Sequence, residues 1–256
     1  MTKPLILTII SPKELPRTSL LVDDRHKYLS VFTAINAKFT DYPGDLIDRA
    51  GCDRHAWEYL VFKNEAEATA AGMRFGQLCY KHKVKVFWAN AEAGVAGTTP
   101  YEKIQNPYKN LEKFVAAFRL AAPTYTKLGF NGFSWQRTSD GRLLHDTALM
   151  KQFDFWSPMN YGTDRPSIEH HWKGKCFKYN NVTIPIIPMI GVGRIDKSGN
   201  TWGFWDLHKR LLLARPEVNG VNWFFGNGAK DQMLKGHAQH PPLTQCAAEL
   251  RQAWDA

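Results

Sequence analysis

Short runs of branched and aromatic residues alternate along this chain with segments of helical apolar spacing, and that rhythm limits the folds open to it. Leu5–Ile10 (LILTII), Ala56–Phe62 (AWEYLVF), Val84–Ala89 (VKVFWA), Gly129–Trp135 (GFNGFSW), Phe153–Met159 (FDFWSPM), Thr183–Gly193 (TIPIIPMIGVG) and Val218–Gly226 read as strands. YLSVFTAI reads as a further strand or the start of a helix. Between them, Glu65–His82, Leu111–Gly129, TALMKQF and Trp202–Pro216 carry helix formers at helical spacing, with Pro123 bending or ending the second. TQCAAELRQAWDA closes the chain as an amphipathic helix. Strands that alternate with helices pair in parallel through crossover connections. Eight such units of about thirty residues fit 256 residues, so the expected fold is α/β, a closed (β/α)8 TIM barrel forming a single domain over residues 1–256. The rival is an open doubly wound sheet. It is disfavoured because no G-x-G-x-x-G follows an early strand and no G-x-x-x-x-G-K-[ST] occurs.

Composition narrows the partners. Nine Trp, nine Tyr and fifteen Phe supply rings that fill a core or stack on a sugar or a base. The formal charge of +9 favours an anionic partner, yet the basic residues are spread without a Lys/Arg block, so a generally basic surface is expected and no nucleic-acid partner. The opening apolar run, Leu5–Ile10, is too short to span a membrane and lacks the form of a secretory signal, so no membrane partner is expected and localisation stays open. Cys52, Cys79, Cys176 and Cys246 form no CxxC pair and suit buried thiols. His170-His171 and His237/His240 lack metal-ligand spacing and no H-E-x-x-H occurs, so neither a metal nor a cofactor is expected.

A barrel of this type carries its site at the C-terminal ends of its strands. There the sequence offers Asn90 and Glu92, Gln136 and Asp140, Asn160 and Tyr161, Arg194, and the rings of Trp88, Trp135, Trp156 and Trp223. Carboxylates at strand ends supply a general acid and a base or nucleophile. Glu92 leads the candidates, because it follows a strongly apolar strand whose burial would raise its pKa. Asp140, in a turn-forming SDG, and Asp24, beside Asp23, Arg25 and His26, are the other catalytic candidates. Trp88, Asn90, Trp135, Gln136, Asn160, Tyr161, Arg194 and Trp223 are the expected substrate-binding residues. Asp154 stands at the start of its strand, where a structural role is expected.

From Leu111 to Asp231 the chain resembles the chitinase-like glycoside hydrolases of family 18. LEKFVAAFRLAAPTYTKLGFNGFSW is similar to that family's helix and fourth strand, GFDGxDxDxE. FDFWSPMNYG resembles its sixth strand, VDxxxxMxYD; TIPIIPMIGVGR its seventh; and VNGVNWFFGNGAKD its eighth, GxMxWxxxxD. In active members the fourth strand ends in a glutamate that protonates the glycosidic oxygen, while a neighbouring aspartate orients the substrate acetamido group that acts as nucleophile. Here the segment reads Asn131-Gly132-Phe133-Ser134-Trp135-Gln136, without those acids, and Gly162 stands where the sixth-strand aspartate would follow Tyr161. The resemblance carries over Tyr161 as an acetamido or hydroxyl contact and Trp223 as a stacking floor. Two readings follow: a glycosidase of a glycan or polysaccharide with its acids elsewhere, Glu92 foremost, or a barrel that binds carbohydrate without hydrolysing it.

Overall fold

The computed structural model describes residues 3–9, 33–91, 107–133, 147–160, 165–173, 184–192, 204–225 and 241–256. Eight strands close into one barrel in chain order: β1 Leu5–Thr8, β2 Ala34–Ala37, β3 Asp53–Tyr59, β4 Val86–Asn90, β5 Lys127–Phe133, β6 Phe155–Asn160, β7 Met189–Val192 and β8 Val221–Phe225. Every pair is parallel, and β1 closes on β8 through Leu5↔Val221 to Thr8↔Phe224. The helices between are α1 Gly44–Arg49, α2 Glu65–His82, α3 Pro107–Ala121, α4 Arg165–Lys173 and α5 Trp205–Leu213, with α6 Leu243–Asp255 at the end and a 3-10 turn at Ala148–Gln152. The expected (β/α)8 barrel is therefore the observed fold.

Helix α2 begins and ends where its sequence says it should. The Asn64 side chain accepts from the Glu67 N–H at 3.0 Å, satisfying an orphan donor of the first turn, and the Glu67 carboxylate reaches back to accept from the N–H of Lys63, just before the cap, at 2.9 Å. Helix α3 stops at Ala121, two residues before Pro123, which can neither donate to a turn nor follow a helical residue without a clash. The two helices pack closely through Gly72 and Gly76. A Cβ at Gly72 would lie 2.5 Å from the Phe114 carbonyl, and one at Gly76 would lie 2.7 Å from the Ala121 methyl.

Period-two alternation divides each strand between two layers. Leu5, Leu7, Ile35, Ala56, Phe87, Leu128, Phe130, Trp156, Ile190, Val221 and Trp223 belong to the cluster between sheet and helices. There Phe39, Phe75, Phe87, Phe114 and Phe118 form a continuous aromatic stack, with centroids 5.2–6.3 Å apart. Ile6, Ala34, Trp57, Val86, Trp88 and Ile187, with Phe155 against them, fill the barrel interior. The Trp88 indole crosses this interior over β5, where a Cβ on Gly129 would lie 2.2 Å from its Cε3. Only glycine leaves room for that ring.

The strand count corrects one element of the family resemblance. Gly129–Phe133 pairs directly with Phe155–Met159, so GFNGF is the fifth strand and not the fourth. The fourth strand is Val86–Asn90. Asp154 accepts from the Leu128 N–H at 2.7 Å and from Arg119 at 2.8 Å, which ties β6 to β5 and α3 at the N-terminal end.

Candidate functional site

Strand alternation places a polar residue on the lumen side of nearly every strand. Thr8 (β1), Asn36 (β2), Asn90 (β4), Asn131 (β5), Ser157 (β6) and Asn222 (β8) all face inward, and all are buried. Register partners Asn90↔Asn131 and Asn131↔Ser157 set three of them side by side on adjacent strands. Across the barrel the Asn36 amide donates to Thr8 Oγ1 at 3.0 Å, and the Thr8 hydroxyl donates to Asn222 Oδ1 at 2.7 Å. Asn36 Oδ1, Asn131 Oδ1, Ser157 Oγ and Asn222 Nδ2 have no hydrogen-bond partner. A buried belt with this much unused capacity is uncommon, since buried polar groups are nearly always paired.

Below that belt lies His55, fully enclosed, with Nδ1 accepting from the Trp88 indole N–H at 3.2 Å. Burial pushes its pKa down to about 3, partly opposed by Asp53, so the ring is neutral at physiological pH. Above the belt, at the C-terminal end of β3, Tyr59 is 39% exposed. It borders a hollow of about 350 Å³ lined also by Phe62, Glu67, Arg74 and Phe75. Glu58, its neighbour, has the opposite parity: its carboxylate accepts from the Phe39 N–H at 3.3 Å on the helix side of the sheet, and burial raises its pKa.

Among the described residues, no carboxylate faces the lumen toward the C-terminal mouth. The inward-facing acid of β3, Asp53, stands at the N-terminal end and is paired with Lys85 at 2.7 Å. No group of three His, Cys, Asp or Glu among the described residues could hold a metal ion. Cys52, Cys79 and Cys246 are buried, and burial raises the Cys79 and Cys246 thiols well above their usual range. No helix among the described residues is long and apolar enough to cross a membrane.

The expected site residues separate sharply. Asn90 lies at the C-terminal end of β4 on the lumen face, in register with Tyr59. Trp88 faces the lumen as well, but it is 0% exposed beneath Asn90, so it fills the barrel and offers no stacking face. Trp223 is corrected in the other direction. It points into the helix layer, fully buried, with its ring 6.3 Å from that of Trp205 on α5, and no ligand in the mouth reaches it. The inward aromatic of β8 is Phe224, in register with Thr8. Asn160 pairs in register with Ile190 and shares the outward parity of Trp156, so it too belongs to the helix side and not to the mouth. Its buried amide has neither oxygen nor nitrogen bonded. Glu92, Asp140, Asp24, Trp135, Gln136, Tyr161 and Arg194 lie outside the described residues. Apart from Asn90, the belt residues are not among the expected site residues, although each is a polar residue set at period two inside an apolar strand.

No family model matches the chain, and no curated protein matches it. Solved structures do. A glycoside hydrolase family 18 chitinase from Pseudoalteromonas aurantia superposes with a TM-score of 0.61 at 10% identity, covering 98% of this chain and 99% of that one. GH5_18 from Bifidobacterium longum subsp. longum gives 0.64 at 10% identity, covering 100% of this chain and 80% of that one. A putative deoxyribose-phosphate aldolase from Toxoplasma gondii gives 0.50 at 8% identity, covering 96% and 94%. Glycosidases and an aldolase on one scaffold show how little the barrel alone says of chemistry. What these likenesses establish is the fold, a (β/α)8 barrel.

Proposed function

We propose that this barrel is a glycoside hydrolase acting on a glycan or polysaccharide, with Glu92 as its general acid. The observation that carries the reading is the strand count. Val86–Asn90 is the fourth strand, and Glu92 follows its last residue by two positions in sequence. The family 18 resemblance calls for a glutamate after the fourth strand, and comparison with GFNGFSWQ found none because that segment contains the fifth strand. The neutral amide and hydroxyl belt supports a ligand rich in hydroxyl or acetamido groups.

In this mechanism Glu92 donates its proton to the glycosidic oxygen as the bond to the sugar breaks. The positive charge developing on the ring is met by a second carboxylate, Asp140 or Asp24, or by the substrate's own acetamido oxygen. Tyr161, Trp135, Gln136 and Arg194 are the proposed contacts to the sugar. The test is Glu92→Gln assayed on a panel of neutral oligosaccharides that includes N-acetylglucosamine oligomers. Turnover is expected to fall by about 10²- to 10⁴-fold with an unchanged melting temperature. Full activity in that variant rejects Glu92. The second reading, a barrel that binds glycans without hydrolysis, is favoured by the same acid-free belt. It prevails if the wild-type chain binds a panel member calorimetrically and cleaves none.

A further inference from the structure

The end of the barrel away from the mouth carries a hollow of about 680 Å³ lined by Tyr80, Lys81, Lys83, Lys85 and Tyr125. Tyr80 and Lys81 come from the last turn of α2, Lys83 and Lys85 from the link into β4, and Tyr125 from the link into β5. The alternating sequence Tyr80-Lys81-His82-Lys83-Val84-Lys85 spreads its cations along one edge, so that three lysines meet in one place although the chain has no basic block. Tyr80 is 73% exposed and Tyr125 51% exposed, an unusual pair of rings to leave in water. Among the described residues neither Lys81 nor Lys83 has a carboxylate within 4 Å, whereas Lys85 is held by Asp53 at 2.7 Å. Lys83 also adopts the left-handed conformation (φ 53°) that closes α2, where glycine is the usual residue. A long cationic side chain therefore lines the hollow from a position whose backbone does not favour one.

We propose that this hollow is a second binding site, taking a carboxylated polysaccharide strand whose sugar faces lie against Tyr80 and Tyr125 while Lys81 and Lys83 meet its carboxylates. The choice of polysaccharide over nucleic acid rests in part on the glycosidase reading. It rests also on the lining itself: the cations are lysines, which act as point charges, and Arg54, which bonds this segment at His82, is already engaged. Arg54 is bound to Asp48 at 2.8 Å and to the His82 carbonyl at 2.7 Å, so no guanidinium fork remains for phosphate or base edges. A site on the reverse face would hold the protein on an acidic polymer while the mouth works on a neighbouring chain, which raises the local substrate concentration.

The test is calorimetric titration of the full chain with a hyaluronan oligosaccharide at low and moderate salt. Two variants are compared, Lys81→Gln with Lys83→Gln and Tyr80→Ala with Tyr125→Ala, each checked for an unchanged melting temperature. The lysine pair is expected to weaken binding by about tenfold and to flatten its salt dependence, because rim charges govern that dependence. The tyrosine pair is expected to weaken binding by a similar factor (~10-fold) while the salt dependence remains. Wild-type affinity in both variants, no binding by the wild-type chain, or tighter capture of a single-stranded oligonucleotide through the same residues each overturns the proposal. Hydrolysis of neutral oligosaccharides is measured separately, so loss of this site with intact cleavage and intact binding without cleavage identify which of the two readings has failed.

Discussion

Replacing Gly129 with alanine tests whether Trp88 is barrel filling or part of a ligand surface. The new methyl would stand 2.2 Å from Trp88 Cε3, 2.5 Å from Cζ3 and 2.8 Å from Cδ2. Carbon atoms in contact prefer about 3.5 Å or more, so the indole must retreat by roughly 1.3 Å. It has nowhere to go. Phe155 lies 6.0 Å away by ring centroid, His55 holds the indole N–H, and the ring is fully buried. Overpacking of a closed core costs about 1–3 kcal/mol, and a clash with three ring atoms belongs at the top of that range. For a chain of this size about 3 kcal/mol corresponds to a melting temperature lower by roughly 6–12 °C. Trp88→Leu removes the ring and opens a cavity costing about 2–3 kcal/mol of its own. The double variant should then be no worse than Trp88→Leu alone, a coupling of about 3 kcal/mol, since the methyl fills part of the space the indole left. Scanning calorimetry or urea unfolding of the four proteins reads this directly. A Gly129→Ala protein that melts within about 2 °C of wild type, or two substitutions that simply add, would show that the indole is free to move and that its placement here is mistaken.

The remaining predictions concern His55 and Trp223. The folded His55 pKa lies near 3 against an ordinary 6.5, so the unfolded chain takes up the proton first and stability falls as pH drops below about 6.5. Between pH 7 and pH 5 this group costs about 2 kcal/mol, and His55→Gln, which keeps an acceptor for Trp88, should flatten that part of the urea-unfolding profile; an unaltered profile refutes the assignment. Trp223→Phe should lower stability by about 2 kcal/mol through lost packing against Trp205 and leave glycan affinity in calorimetry unchanged. A selective loss of affinity at constant stability would return Trp223 to the binding surface.

The fold was legible because it is written in local chemistry. The alternation of strand and helix needed no tertiary information, and Glu65–His82 matches its helix to the residue because capping and composition agree. Legibility faded where chain chemistry pulls both ways. TIPIIPMIGVG reads as one strand, but the ladder of β7 is confined to Met189–Val192, with only an isolated bridge at Ile186, because Pro185 and Pro188 have no N–H to donate. Helix α4 went unread because its apolar stripe is reduced to Ile168 and Trp172, one turn apart. The site was harder. Trp88 and Trp223 were chosen as large aromatics at strand ends, yet parity and depth decide what a ring touches. Trp223 is one residue out of phase with the lumen, and Trp88 is one layer too low. Asn90 is placed on the lumen, while Asn160 fails by one step of the same alternation.

The lumen's neutrality divides the work of the proposed enzyme. The belt contains only amides and hydroxyls, which do not titrate in the working range, and the histidine below it is held neutral by burial. Under the proposed mechanism the pH dependence of catalysis rests with Glu92 and its partner acid, while the described belt residues supply hydrogen bonds from groups that do not titrate. The two parts are also built differently. The belt side chains stand on paired strands fixed by the register Asn90↔Asn131↔Ser157, which gives the positional precision that recognition of hydroxyl groups requires. An acid on such a strand would be buried among neutral amides and hydroxyls, away from water, and pushed toward its neutral form. Carried on a loop beyond the belt, it can be partly solvated and titrate in a useful range. The uncharged floor of the described strands thus follows from the cost of burying charge inside a closed sheet, and the proposal carries the titratable groups outside it.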